Sequence, residues 1–324
     1  MTIVTNAAPD VDTFVFASKV DQAPIFVRKW VPPDGIGLRA MVQITHGIAE
    51  HSGRYERLAR FLAAEGCVVY AIDLRGHGRT ADTESLGQAG ISAWSDMTAD
   101  IKQLSDIART EHPSVRLIAF GHSMGSALTQ SQIQNHGDVL AGAILCGTMG
   151  AMPGIDEAEF QTGLEKLYAL ATGTDAQAPS ALFGELLMRF NSPFAENLAN
   201  PTGSEWQTSD AEEIRLFQND PLCGKPFSNA MTYSVLKGFH DLWLREQESR
   251  IPIDLPILII AGTDDPISRR TSSIQDLITR YMEQGHRTLA YYFYGEGRHE
   301  ILNDACRERV HRDIGHWLSH ILNR

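Results

Sequence analysis

Arg116-Leu-Ile-Ala-Phe-Gly-His-Ser-Met-Gly125 is the stretch on which the reading of this chain turns. Leu117, Ile118, Ala119 and Phe120 make a short apolar run of strand type. Gly121-His122-Ser123-Met124-Gly125 then spells G-x-S-x-G, and residues 126–136 continue in helical pattern. A serine on so tight a strand-to-helix turn is pushed out at the sheet edge, in strained backbone angles. Such strain costs about 1–3 kcal/mol and persists only where the surroundings hold it. Gly121 and Gly125 are expected to flank Ser123 because a Cβ at either would strike the other arm of the turn. The following helix aims its unpaired N–H groups and partial positive charge at any anion formed there. Strand before and helix after make Ser123 a candidate nucleophile; the pentapeptide alone would not.

The flanking sequence repeats the same rhythm. Strands are predicted at 14–18, 25–30, 39–45, 68–72, 141–146, 257–261 and 288–294, the first two as an antiparallel start. Helices are predicted at 54–65, 96–111, 268–283 and 305–322, the first from Tyr55, Leu58, Phe61 and Leu62 at helical spacing. This alternation gives an α/β fold with a mainly parallel sheet covered on both faces. Ligands of such sheets gather beyond the carboxyl ends of the strands. Ser123, Asp265, His299 and the His46-Gly47 loop all follow predicted strands, so four candidates share one edge.

Residues 149–250 break the rhythm. They are punctuated by Gly and Pro and mostly helical in pattern, with 15 acidic against 7 basic residues, a net −8 of the chain's −12. They are expected to form an inserted helical cap over the active site, on a core made of 1–148 and 251–324. Phe183, Leu187, Phe239 and Trp243 fall in its apolar clusters and are the expected walls of a substrate pocket.

Composition narrows the function. Net charge −12 and a pI near 5.4 argue against nucleic acid, whose phosphates need Lys and Arg. No apolar run reaches transmembrane length, and Met1–Asp10 lacks the basic start and apolar centre of a signal peptide, so a cytoplasmic protein without a stable membrane anchor is expected. Cys67, Cys146, Cys223 and Cys306 are scattered without metal-binding spacing and read mainly as buried free thiols. No nucleotide, cofactor or metal motif is present; Gly76-His77-Gly78 lacks the phosphate-binding patterns.

A serine hydroxyl needs a base beside it. Of twelve histidines, His122 is aimed away by the turn, His311, His316 and His320 fit a solvated face of the last helix, and His112, His136 and His286 lie near helix ends. His299, on a Gly-containing loop after the last strand, is the expected base, in the chain order Ser, Asp, His. Gly262-Thr-Asp-Asp-Pro-Ile offers two carboxylates to orient it; Asp265, extended by the following Pro266, is favoured over Asp264. An oxyanion would be met by the N–H groups of Met124 and Ile48, with Gly47 allowing close approach.

With these residues in view, the chain resembles the monoacylglycerol lipase/lysophospholipase (serine aminopeptidase S33-type) branch of the α/β-hydrolases. The resemblance rests on His46-Gly-Ile-Ala-Glu-His-Ser-Gly-Arg-Tyr55, Asp73-Leu-Arg-Gly-His-Gly78, Gly121-His-Ser-Met-Gly125, Gly262-Thr-Asp-Asp265 and His299, and spans nearly the whole chain outside the cap. It implies a Ser123–Asp265–His299 triad, oxyanion donors at Ile48 and Met124, and a supporting role for Glu50, His51 and Arg54. Ile48 stands where the family often has Ala. The expected activity is hydrolysis of a small-molecule ester, with no cofactor. An amide, lactone, thioester or aromatic-ester hydrolase would use the same triad. A binding module that has lost catalysis would lack the serine or histidine kept here, and dehalogenase chemistry would need a carboxylate at the elbow.

Overall fold

The structure is a computed structural model that describes residues 11–151 and 157–323. The reading of Met1–Asp10 lies outside these residues, as does 152–156 of the helical segment. Eight strands form one sheet: β1 (Val11–Ala17), β2 (Pro24–Trp30), β3 (Ala40–Thr45), β4 (Cys67–Ile72), β5 (Arg116–His122), β6 (Gly142–Cys146), β7 (Ile257–Gly262) and β8 (Leu289–Tyr294). Their spatial order is β1-β2-β4-β3-β5-β6-β7-β8. β2 runs antiparallel to β1 and β4, and every other pairing is parallel. All eight lie where the sequence places strands.

Both faces of this sheet are covered, which is why the central strands are apolar runs rather than alternations. β3, β4 and β7 are buried along their whole length. Alternate residues of β3, β5 and β7 feed two separate cores: Met41, Leu117 and Ile259 pack into one, Val42, Ile118 and Ile260 into the other. Each such side chain, fully buried, contributes about 1.5–3 kcal/mol. The first core lies under α2 (Ala93–Glu111), α3 (Met124–His136) and α9 (Ser272–Glu283); the second under α1 (Glu56–Ala64) and α10 (Arg307–Leu322). Of the two polar residues of β3, Gln43 is buried with its amide bonded to Ile101 O at 2.8 Å and Ser105 Oγ at 2.7 Å.

Helix starts differ from expectation for local reasons. α1 begins after a 3₁₀ turn, Ser52–Tyr55, capped by the His51 ring accepting the Gly53 N–H. α2 begins three residues early, since Asp96 N–H already bonds Ser92 O. α9 begins at Ser272 rather than 268, because Arg269, Arg270 and Thr271 wind left-handed with φ 54°, 53° and 71°. Between β6 and β7 the described residues hold α4 (Glu157–Thr172), α5 (Ala181–Ala195), α6 (Ala211–Asn219), α7 (Asn229–Leu242) and α8 (Arg245–Glu248), with one isolated bridge, Pro179 to Ser228. Among the described residues no helix is long and apolar enough to cross a membrane.

Candidate functional site

Ser123 sits between β5 and α3 at φ 54°, ψ −121°, a conformation a side chain avoids. Its N–H is held by Cys146 O at 3.0 Å, and its carbonyl accepts from Ser126 Oγ at 2.6 Å. A Cβ on Gly121 would come within 2.2 Å of Gly125 O, the other arm of the turn. Gly125 is constrained differently from expectation. Its Cβ would meet Thr45 O at 2.1 Å and His46 O at 2.4 Å, so it lets α3 press on the end of β3.

Asp265 and His299 come together behind this turn. His299 Nδ1 lies 3.0 Å from Asp265 Oδ1, which also accepts the Ile267 N–H at 2.9 Å. A carboxylate only accepts, so Nδ1 carries a proton, and in the neutral ring Nε2 keeps its lone pair. That Nε2 is buried with no hydrogen-bond partner among the described residues, Ser123 Oγ included. Asp264 is half-buried, and its backbone N–H bonds Gly297 O at 2.9 Å. The exposures are 5% for Ser123, 2% for His299 and 0% for Asp265, so all three are buried. An imidazole oriented in this way can take a proton at Nε2.

The loop after β3 brings Gly47 against Ser123: a Cβ on Gly47 would lie 3.1 Å from Ser123 Cβ. Glu50 is the centre of the loop. Its carboxylate accepts from Gly47 N–H at 2.6 Å, Tyr55 Oη at 2.6 Å and Arg54 Nη1 at 2.8 Å. Burial pushes Glu50 up, but the His122 hydrogen bond and the Arg54 charge hold it well below the usual carboxylate range. His122 is turned from Ser123 toward this cluster, with Nδ1 3.3 Å from Glu50 and Nε2 3.4 Å from His299 O. Met124 opens α3, so its N–H has no acceptor within the helix. The Ile48 N–H has no acceptor among the described residues.

Several neighbours escaped the sequence reading. Glu300 pairs with Arg54 at 2.7 Å; a carboxylate next to His299 before apolar Ile301-Leu302 was its only signal. Trp206 lies in a loop without periodicity, yet its ring is 5.1 Å from His299 and its carbonyl accepts the His299 N–H at 3.4 Å. His311, expected on a solvated face, lies against Phe61 at 5.8 Å, and burial pulls it down to about 4.

An apolar satellite cluster adjoins the site. Trp206, Ile267 and Met149 form it, with Leu187, Phe239 and Trp243 packed against them. Trp243 is fixed by its indole N–H on Gln130 Oε1 at 3.1 Å. Phe183 stacks on Phe227 at 4.7 Å in the main core, against which Leu187 and Phe239 also pack.

One group of metal-ligating types occurs among the described residues: His51, Asp220 and Cys223, with ligand atoms within 4.8 Å of one another. His51 Nδ1 accepts the Gly53 N–H at 3.1 Å, so its proton is on Nε2, which donates to Asp220 at 2.8 Å. Burial pushes the Cys223 thiol far up. With both ring nitrogens committed and the thiol protonated, the group reads as a latch between the β3 loop and the helical segment.

Comparison with known proteins agrees with this architecture. The family described as serine aminopeptidase, S33, matches residues 37–305. A monoacylglycerol lipase of Mycolicibacterium smegmatis is 24% identical over 286 residues, 87% of this chain and 89% of that one. The monoglyceride lipase of Homo sapiens is 24% identical over 302 residues, 91% of this chain and 86% of that one. Among solved structures, a highly thermostable carboxyl esterase from Bacillus coagulans superposes with a TM-score of 0.85 at 27% identity, over 96% of this chain and 99% of that one. With a mostly parallel eight-stranded sheet and a family match over most of its length, the chain belongs to the serine aminopeptidase S33 family of α/β-hydrolases, in its monoglyceride-lipase-like branch.

Proposed function

We propose that this hydrolase is a serine esterase that cleaves a neutral, small-to-medium acyl ester through an acyl-serine intermediate. Ser123 Oγ attacks the ester carbonyl while His299 Nε2 takes its proton. Asp265 keeps the imidazole in the Nδ1–H tautomer and stabilises its charged form. The tetrahedral oxyanion is met by the N–H groups of Ile48 and Met124. His299 then protonates the leaving alcohol, and a water activated by the same Nε2 releases the acid. The observation that carries this reading is the 3.0 Å Asp265–His299 contact, which leaves a buried, unpartnered Nε2 on the strand edge that bears Ser123.

Residues 149–250 serve, in this proposal, as a cap over that edge. Trp206 lies on His299, Gly224 N–H bonds Ala49 O at 2.8 Å, and Asp220 holds His51. The site opens when these contacts part. Leu187, Phe239 and Trp243, with Trp206, then wall the acyl side of the pocket. The net −8 of the cap favours a dispersed neutral ester over an anionic lipid surface, within the roughly 8–10 Å that salt leaves unscreened.

A serine-directed organophosphonate tests the mechanism: wild type should be labelled at Ser123, and Ser123→Ala should not be labelled and should lose about 10⁶-fold in kcat. Label on another residue would overturn it. Monoglycerides, p-nitrophenyl esters, thioesters, lactones and aryl amides tested side by side settle the bond cleaved, and amides cleaved faster than esters would refute the esterase reading.

A further inference from the structure

The turn after β4, Asp73-Leu-Arg-Gly-His-Gly78, carries a histidine that the proposed reaction does not use. His77 is buried, and its two ring nitrogens have separate partners. Nδ1 lies 2.9 Å from Arg75 O, which only accepts, so the proton is on Nδ1. Nε2 keeps its lone pair and accepts the Ala49 N–H at 3.2 Å. Burial, then the neighbouring His46, pulls His77 down to about 3, so the ring stays neutral in ordinary buffers. His46 mirrors it: its Nε2 accepts the Leu74 N–H at 3.0 Å, and its Nδ1 donates to Gly47 O at 2.8 Å. The two rings touch edge to face, 5.0 Å apart. Each loop thus lends a ring nitrogen to a backbone N–H of the other.

The consequence falls on Ile48. Within one trans peptide plane the C=O and N–H point in opposite directions. His46 holds the Gly47 carbonyl and so sets the plane whose far side is the Ile48 N–H. His77 holds the Ala49 N–H and so sets the next plane. Ala49 has φ 52°, a conformation alanine leaves when nothing holds it. The Gly47 and Ala49 N–H groups are both committed, to Glu50 and His77; the Ile48 N–H between them has no acceptor among the described residues.

We propose that His77 is a positioning residue for the oxyanion hole: by accepting the Ala49 N–H it fixes the peptide plane after Ile48 and keeps the Ile48 N–H aimed at the developing oxyanion. The inference rests on the reading of Ile48 as an oxyanion donor.

The test compares His77→Met, which removes the acceptor at similar bulk, with His77→Gln, whose amide oxygen can replace it. Each is assayed on a soluble p-nitrophenyl ester and on the thionoester of the same acyl chain. His77→Met should lose about 10–100-fold in kcat at near-wild-type KM. The loss should be smaller on the thionoester, whose sulfur is a weak acceptor, and His77→Gln should recover most of it. Wild-type kcat in His77→Met, or equal losses on both esters, would overturn the proposal. Ile48→Pro removes the donor itself and should cost about 10²–10³-fold. If Ile48→Pro is as fast as wild type, the oxyanion reading falls. If Ile48→Pro is slow while His77→Met is fast, only the positioning role falls. Should the variants not fold, nitrogen NMR of the wild-type His77 ring decides: a persistent Nδ1–H tautomer supports the proposal and an Nε2–H tautomer sinks it.

Discussion

Arg54 and Glu300, 246 positions apart in the chain, meet in a two-pronged ion pair of 2.8 and 2.7 Å. The same guanidinium bonds Glu50 at 2.8 Å. One buried cation therefore joins the β3 loop to the loop of His299. Burial disfavours the Arg54 charge, but Glu300 and Glu50 outweigh it and hold its pKa well above the usual range. Removing the cation leaves Glu300 buried without its bidentate partner and takes a charged donor from buried Glu50. Arg54→Met should cost about 3–5 kcal/mol in urea unfolding. Arg54→Lys should recover only part, because an ammonium lacks the planar fork. A loss below about 1 kcal/mol, the scale of a surface pair, would contradict this account.

Ser123→Gly should separate stability from activity. Glycine adopts φ 54° without the strain that serine carries, so this variant should be about 1 kcal/mol more stable than Ser123→Ala. Both should be inactive. Thermal unfolding of the two variants makes the comparison, and equal midpoints would mean the turn is not strained.

The two neighbouring aspartates should differ sharply. Asp265→Asn should lower kcat about 10⁴-fold, the scale of a wrong imidazole tautomer. Asp264→Asn, half-buried and without a bond to His299, should be close to wild type. The reverse order would transfer the orienting role to Asp264.

Stability should fall with rising pH through His122. Burial works against its charge, but the hydrogen bond and charge of Glu50 raise its pKa above the ordinary value. Both ring nitrogens face acceptors, which only the imidazolium satisfies. A folded-state pKa above the unfolded one gives stabilisation that is complete below about pH 6.5 and lost as pH rises through the folded value. The difference in melting temperature between wild type and His122→Gln should therefore shrink as pH rises. A difference that grows with pH would show that His122 is neutral.

Acyl-chain preference should follow the satellite cluster. A series of neutral esters should give an optimum at short or medium length, shifted by Trp243→Phe, which loses the Gln130 hydrogen bond. Phe183→Leu, whose ring stacks on Phe227 in the main core, should shift the profile less. Strong activation on anionic vesicles would defeat the dispersed-ester reading.

The sequence by itself determined the eight strands, their alternation with helices and the positions that end them. These are written locally: apolar runs set the strands, and Gly121 is dictated by a turn only a few residues long. Ser123, Asp265 and His299 were legible as candidates because each follows such a strand. Only the tertiary structure decided what meets them. The Arg54–Glu300 pair, Trp206 on His299 and the His46–His77 exchange join segments with no common periodicity. The left-handed turn at Arg269–Thr271 breaks a helical pattern that continues unbroken in the residues. Phe183 and Trp243 look alike as apolar positions in the helical segment, yet one packs into the main core and the other beside the site. Period reveals that a face is buried; which surface it is buried against is set by contacts across the sheet edge that no local pattern encodes.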